Sequence, residues 1–210
     1  MMSDESQDVL ADTRPLIDHA RSMSTRPWAD RLVAYRSIGA LLAERARRHP
    51  DKNWLTFYDE TGRSSCLSYG EFYEVVSRTA SMMRTKLHID AGDRIATLLV
   101  NDPRTVLVYF ASWMIGATVV PVNVGEDDSR VEFILRNSNA KAAFALPEQL
   151  PRIKGMQPNL PSLVSTVTVD VTKVLSPQNW GLGGQPSTTA TAGGVGHVLD
   201  FDTAIASVDS

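Results

Sequence analysis

At 210 residues the chain is long enough for one substantial core, or for one and a half small domains. Its 43% hydrophobic and 21% charged content is ordinary for a globular chain, and a formal net charge of −3 gives no reason to expect nucleic acid as a partner. The single cysteine, Cys66, excludes a disulfide framework and a thiolate metal cluster, and it fits a reducing, cytoplasmic setting.

The opening residues are acidic and lack the basic and apolar blocks of a signal peptide. Residues 1–36 read as a loosely held N-terminal arm, with a helical turn around Leu16–Arg21. The first firm element is Ser37–Arg48, where Ile38, Leu41 and Leu42 form an apolar stripe. His49-Pro50 closes it, because a residue before proline is pushed out of helical geometry. Arg45, Arg47 and Arg48 could bind an anion; the plainer reading is a solvated helix end whose cations face the negative pole of the macrodipole.

Trp54–Tyr58 and Ser64–Leu67 read as short strands joined by a turn in which Gly62 supplies positive φ. Ser68-Tyr69-Gly70-Glu71 is a capping box, and the helix it opens keeps Phe72, Val75, Val76, Ala80, Met83 and Leu87 on one face. His88 follows in a loop, with no second ligand type near it to suggest a metal.

Gly92–Asn123 is the centre of the chain. Arg94–Val100 is a short apolar run of the kind that fills a buried parallel strand. Asp102 suits an N-cap, Pro103 a first helical position, and Gly116 a left-handed C-terminal residue. The helix between them carries Val106, Leu107, Phe110, Trp113 and Met114, and Ala117–Val122 is a second strand. Two parallel strands need a crossover of this length, so the stretch predicts a right-handed βαβ unit. Val106–Val122 is the most apolar window, but it falls short of the roughly 20 residues a spanning helix requires.

Gly125-Glu126-Asp127-Asp128 is an acidic loop before a second capping box, Ser129-Arg130-Val131-Glu132. Its carboxylates could hold magnesium, but acids at a helix start already favour its positive pole, and no calcium-loop or phosphate-loop spacing accompanies them. Val131, Ile134 and Leu135 face a core, and Lys141–Leu146 is another buried strand. Val164–Val171 alternates valine with polar residues and reads as a strand nearer a sheet edge. The Gly/Ser/Thr/Pro-rich segment 172–197 reads as flexible, and 198–210 as a short terminal strand and helix. Thr188–Gly194 lacks the lysine of a phosphate loop and the glycine spacing of a dinucleotide loop, so it reads as linker. The alternation predicts an α/β fold, a layered and mostly parallel sheet with flanking helices over residues 37–171.

Taken together these segments resemble the adenylate-forming acyl-CoA ligases of the AMP-binding superfamily. Ser68-Tyr69-Gly70-Glu71-Phe72 resembles their T/S-Y-x-E-L, and Gly92-Asp93-Arg94-Ile95-Ala96 their G-D-R-V-A. Leu99-Val100-Asn101-Asp102-Pro103 is similar to L-P-N-S-P, and Gly116–Asn123 to G-A-x-x-V-P-L-N. Glu132–Lys141 is similar to E-L-x-Y-I-L-x-D-S-x-A-K. The order and spacing carry the resemblance, continuously over Ser37–Leu146. Val100 departs from the usual proline, Arg104 from a commonly acidic position, and Gly125–Asp128 from a proline-containing turn.

The resemblance implies a parent enzyme that activates a carboxylic acid with ATP and Mg²⁺ as an acyl-adenylate, then passes the acyl group to coenzyme A. It implies that the phosphate loop, the adenine and ribose contacts and the catalytic lysine fall beyond Ser210. No catalytic residue, cofactor-binding residue or metal ligand is therefore carried onto any position here, and no cofactor is expected for this chain alone. The expectation is an incomplete N-terminal subdomain, inactive by itself, whose partner is the remainder of the ligase. One alternative is a non-catalytic binding or regulatory module that pairs with a separate ligase subunit. An unrelated nucleotide binder would need a glycine loop after its first strand, and Val100-Asn101-Asp102-Pro103 is a poor substitute.

Overall fold

The computed structural model describes residues 35–59, 61–173, 180 and 197–208, with positions 15, 17–19, 21 and 22 of the N-terminal arm. Contacts divide the chain into two compact units, Met1–Arg36 and Ser37–Ser210. In the first, positions 17–19, 21 and 22 are helical, and the Ser22 hydroxyl donates to the carbonyl of His19 (2.8 Å).

The second unit begins with α1 (Ile38–Arg48), capped by Ser37, whose hydroxyl accepts from the Ala40 N–H. Its buried residues are Leu42 and Ala46, while Ile38, expected in the stripe, is 40% exposed. The antiparallel hairpin β1 (Asn53–Tyr58) and β2 (Ser64–Ser68) turns through Gly62 at φ +81°. Helix α2 (Tyr69–Leu87) starts at the expected capping box, with both reciprocal bonds between Ser68 and Glu71 made. It ends at His88, whose left-handed backbone donates its N–H to the carbonyl of Met83, so this histidine is a helix cap.

The sheet follows. Strand β3 (Arg94–Leu98), α3 (Pro103–Ile115) and β4 (Thr118–Pro121) form the expected βαβ unit, with Ile95 opposite Val119 and Ala96 opposite Val120 in parallel register. Helix α4 (Asp128–Ser138) leads to β5 (Ala142–Ala145), and α5 (Leu150–Met156) to β6 (Ser165–Thr168). The last pair is β7 (His197–Asp200) and α6 (Phe201–Ala206). The strand order is β4-β3-β5-β6-β7, and every pairing in it is parallel.

Alternation along the strands feeds two cores. Ile95, Phe144 and Val167 pack with Phe72, Val75, Leu107, Ala111, Phe201 and Ile205 from α2, α3 and α6. Ala96, Leu98, Ala143 and Ala145 pack with Val131, Leu135, Ile153 and Met156 from α4 and α5. Helices on both faces explain why the central strand β5, Ala142–Ala145, is apolar and buried throughout.

One local reading is corrected. Helix α4 is capped by Asp127, which accepts from the Arg130 N–H (2.8 Å); Ser129 lies inside the helix and donates its hydroxyl to the same carboxylate (2.6 Å). A carboxylate two residues earlier is the stronger acceptor, so it displaces the serine as cap. Strand β6 lies one place in from the edge, next to the edge strand β7, which pairs along its far side. Helix α3 buries Leu107, Val108, Ala111, Ser112 and Ile115, leaving Trp113 37% exposed. Its buried face is set by close packing on α2 and the sheet, which favours the smaller side chains.

Candidate functional site

In an open, doubly wound sheet the crevice outside the carboxyl ends of the strands, where the winding reverses, is the usual place for a ligand. Here β3 leads outward to β4 and the chain then returns across β3 to β5, so the reversal lies between β3 and β5. The segments leaving these strands expose Val100, Asn101, Pro147 and Glu148, and the Leu146 N–H donates to the carbonyl of Leu98 (3.1 Å), holding them together.

Beside that reversal the sheet is closed by a buried ionic cluster. Asp102 caps α3, accepting from the Arg104 N–H at 2.8 Å, and one of its oxygens lies 3.3 Å from the Arg104 guanidinium. The same guanidinium donates through Nε to Asp202 (3.2 Å) and through Nη2 to the carbonyl of Lys173 (3.0 Å). It lies 5.9 Å from the ring centre of Trp180, whose indole N–H donates to Asp202 at 2.7 Å. Arg104 is 1% exposed. Burial pushes the Asp102 carboxyl above the usual range, against the bonds and charge of Arg104. On the rim, Lys173 pairs with Asp200 (2.7 Å), and Asp200 also caps α6 through the Thr203 N–H and hydroxyl. Burial works against the ionised Asp200, but its bonds from Lys173 and Thr203 prevail and hold it below the ordinary range.

The opposite end of β3 is simpler. Asp93 accepts from the Asp90 N–H (2.9 Å) and from the Lys141 ammonium (2.7 Å), which also reaches the carbonyl of His88. The backbone bond from Asp90, then the Lys141 bond, hold its carboxyl below the ordinary range. The residues of Gly92-Asp93-Arg94 and the Ala140-Lys141 pair therefore meet at the amino ends of β3 and β5, Gly92 with φ +89°.

Among the described residues, those weighed from sequence do not converge on a metal or phosphate site. In the acidic loop, Asp127 is engaged as a cap, and Asp128 pairs with Arg152 (2.5 Å), which also donates to the carbonyls of Glu126 and Val124. That loop does not fit a Mg²⁺ ion, and no group of three or more His, Cys, Asp or Glu that could hold a metal occurs among the described residues. Arg47 and Arg48 are exposed, Arg48 pairing with Glu44, as a solvated helix end should be. Thr188–Gly194 lies outside the described residues. A shallow apolar depression lies between the hairpin and the first turn of α3, lined by Leu55, Phe57, Leu67, Pro103 and Trp180 with Cys66 at its side. No helix among the described residues is long and apolar enough to cross a membrane.

Sequence reasoning missed the roles of Arg104, Asp202 and Trp180. Arg104 stood out only as a departure from the ligase pattern, and neither Trp180 nor Asp202 was singled out, although a lone large aromatic in a polar stretch is a signal that could have found Trp180.

The fold and its carboxyl-end crevice define a doubly wound α/β domain of the kind that holds a ligand at its winding reversal. The AMP-binding enzyme family matches residues 42–192, and the chain belongs to that family. Over 120 residues it is 30% identical to an N-(5-amino-5-carboxypentanoyl)-L-cysteinyl-D-valine synthase of Penicillium rubens, covering 57% of this chain and 3% of the synthase. Over 109 residues it is 30% identical to a long-chain-fatty-acid–CoA ligase of Mycobacterium tuberculosis, covering 52% of this chain and 21% of the ligase. The fold matches the A-PCP didomain of a carboxylic acid reductase from Segniliparus rugosus, solved in complex with AMP. That match has a TM-score of 0.63 and 18% identity, covering 88% of this chain and 27% of that one. The chain thus spans about a fifth of the length of the fatty-acid ligase and far less of the synthase.

Proposed function

We propose that this chain forms the N-terminal platform of an ATP-dependent acid–thiol ligase. In that reaction a carboxylate attacks the α-phosphate of ATP, releasing pyrophosphate and leaving an acyl-adenylate, and the thiol of coenzyme A then displaces AMP. The observation that carries the reading is the family match across residues 42–192, with the βαβ unit at its centre. Matches to a protein named as a fatty-acid–CoA ligase support it. A cytoplasmic setting goes with this reading, supported by the lone free thiol of Cys66.

The 210-residue chain does not form the adenylate by itself. Charge building at the α-phosphate must be met by cations and donors aimed at it. Three cations at the ends of this sheet are otherwise engaged: Arg104 is buried between carboxylates, Lys173 is paired with Asp200, and Lys141 with Asp93. The test is pyrophosphate release from the purified chain with ATP, magnesium and a panel of fatty and aromatic acids. No acid-dependent release is expected, and release would overturn the reading.

A further inference from the structure

Arg104 joins stretches that lie far apart in the chain. Asp102 belongs to the central βαβ unit, whereas Asp202 lies ninety-eight positions away from Arg104 on α6, and Trp180 precedes β7. Among the described residues, strand β7 is the last strand of the sheet and pairs with β6 alone, on one side. The cluster holds one guanidinium against two carboxylates, a surplus of negative charge in a site closed to water. Such a surplus is costly in a low-dielectric interior. Undocking α6 removes that cost: Asp202 gains water, while Arg104 keeps Asp102 as a self-neutralising pair. The docked state is held by Phe201, Ala204 and Ile205 in the core, by the β6–β7 ladder, by the Trp180 N–H and the fork of Arg104, and by contacts after α6, where Arg78 donates to the carbonyl of Val208 (3.1 Å) and Lys86 to Ser207.

We propose that Arg104 is the positioning residue of a clasp, and that β7–α6 opens and closes on it as a unit while β3, β4 and β5 stay folded. The guanidinium is the part that remains behind, already paired with Asp102, and Asp202 and the Trp180 indole are the parts that leave. Opening exposes the far side of β6, along which β7 pairs, while the guanidinium keeps its bond to the Lys173 carbonyl. The proposal does not depend on the ligase reading.

Residue-resolved amide hydrogen exchange on the 210-residue chain, repeated at low urea concentrations, tests it. Amides of β7 and α6 are expected to exchange through an opening with weak urea dependence, and those of β3 and β5 only through global unfolding. Arg104→Met strands two carboxylates and is expected to speed exchange in β7–α6 on the order of 100-fold, leaving β3 and β5 little changed. Asp202→Asn removes the surplus charge but keeps an acceptor for Trp180, and is expected to leave β7–α6 as protected as before or more so. One exchange rate and one urea dependence for all of these strands would overturn the clasp. So would an Asp202→Asn variant that exposes β7–α6. If Arg104→Met does not fold, the unaltered chain and Asp202→Asn decide.

Discussion

Strand β3 carries an acid–base pair at each end, and water treats the two differently. At its amino end Asp93 and Lys141 meet with about a third of each side chain exposed (30% and 31%). At its carboxyl end Asp102 and Arg104 are 6% and 1% exposed and share a second carboxylate from α6. An exposed pair contributes little, because solvent already stabilises both ions. A buried one has lost that solvation and depends on every remaining partner. The amino end therefore registers two neighbouring strands, while the carboxyl end decides whether a distant part of the chain is held.

The largest effect should come from breaking the buried end. Asp202→Ala leaves the Trp180 N–H and one side of the Arg104 fork without an acceptor. The expected loss is about 1.5–3 kcal/mol, seen in urea unfolding and first in β7–α6. A loss no greater than that of a surface substitution would mean that the cluster is solvated and the contrast between the ends is false.

What was legible in the sequence follows the same division. Asp102, Pro103 and Gly116 could be placed because a cap, a first-turn proline and a left-handed terminator act on their own neighbours. Ser68 and Glu71 were readable for the same reason. The parallel pairing of Ile95 with Val119 followed from the length of the crossover. Arg104 was not readable as a buried cation, since its partner Asp202 lies on another element and no local pattern links them. The place of β6 one strand in from the edge was hidden likewise, because alternation along a strand tells which face is buried and not which strand pairs beside it. Among competing caps, Asp127 and Ser129 are two residues apart, and sequence alone gave no reason to prefer the carboxylate.

Next in size is Gly116, at the amino end. Its φ of +78° is one that L side chains avoid, and a Cβ there would come within 3.1 Å of the Ala91 Cβ. Gly116→Ala should cost about 1–2 kcal/mol in thermal or urea unfolding. Its carbonyl also accepts from the Gly92 N–H (2.9 Å), so the loss should appear as faster exchange at Gly92. An unchanged midpoint would show that this end tolerates backbone rearrangement. Smaller again is Lys141→Met, which removes the half-exposed pair. It should cost no more than about 1 kcal/mol, and the difference should shrink as salt is raised. A larger, salt-independent loss would mean that the amino end behaves as a buried site.

The smallest expected effect is the sharpest separation of the two ends, because the carboxyls at them titrate with opposite sign. Asp93 is held below its ordinary value near 3.8, so the stability it contributes is complete above that value and fades as pH falls through the lowered one. Asp102 is pushed up by burial, so its proton is bound more tightly in the folded chain. Ionising it, as pH rises from the ordinary value through the raised one, withdraws stability rather than adding it. Asp93→Asn should therefore flatten the acid limb of the stability profile. Asp102→Asn keeps a capping oxygen for the Arg104 N–H and leaves Arg104 paired with Asp202. At neutral pH it should change stability by no more than about 0.5 kcal/mol. Urea midpoints measured from acid to neutral pH decide the matter. If Asp102→Asn loses stability at neutral pH while Asp93→Asn does not, the carboxylate at the buried end is the favourable charge, and burial does not govern it.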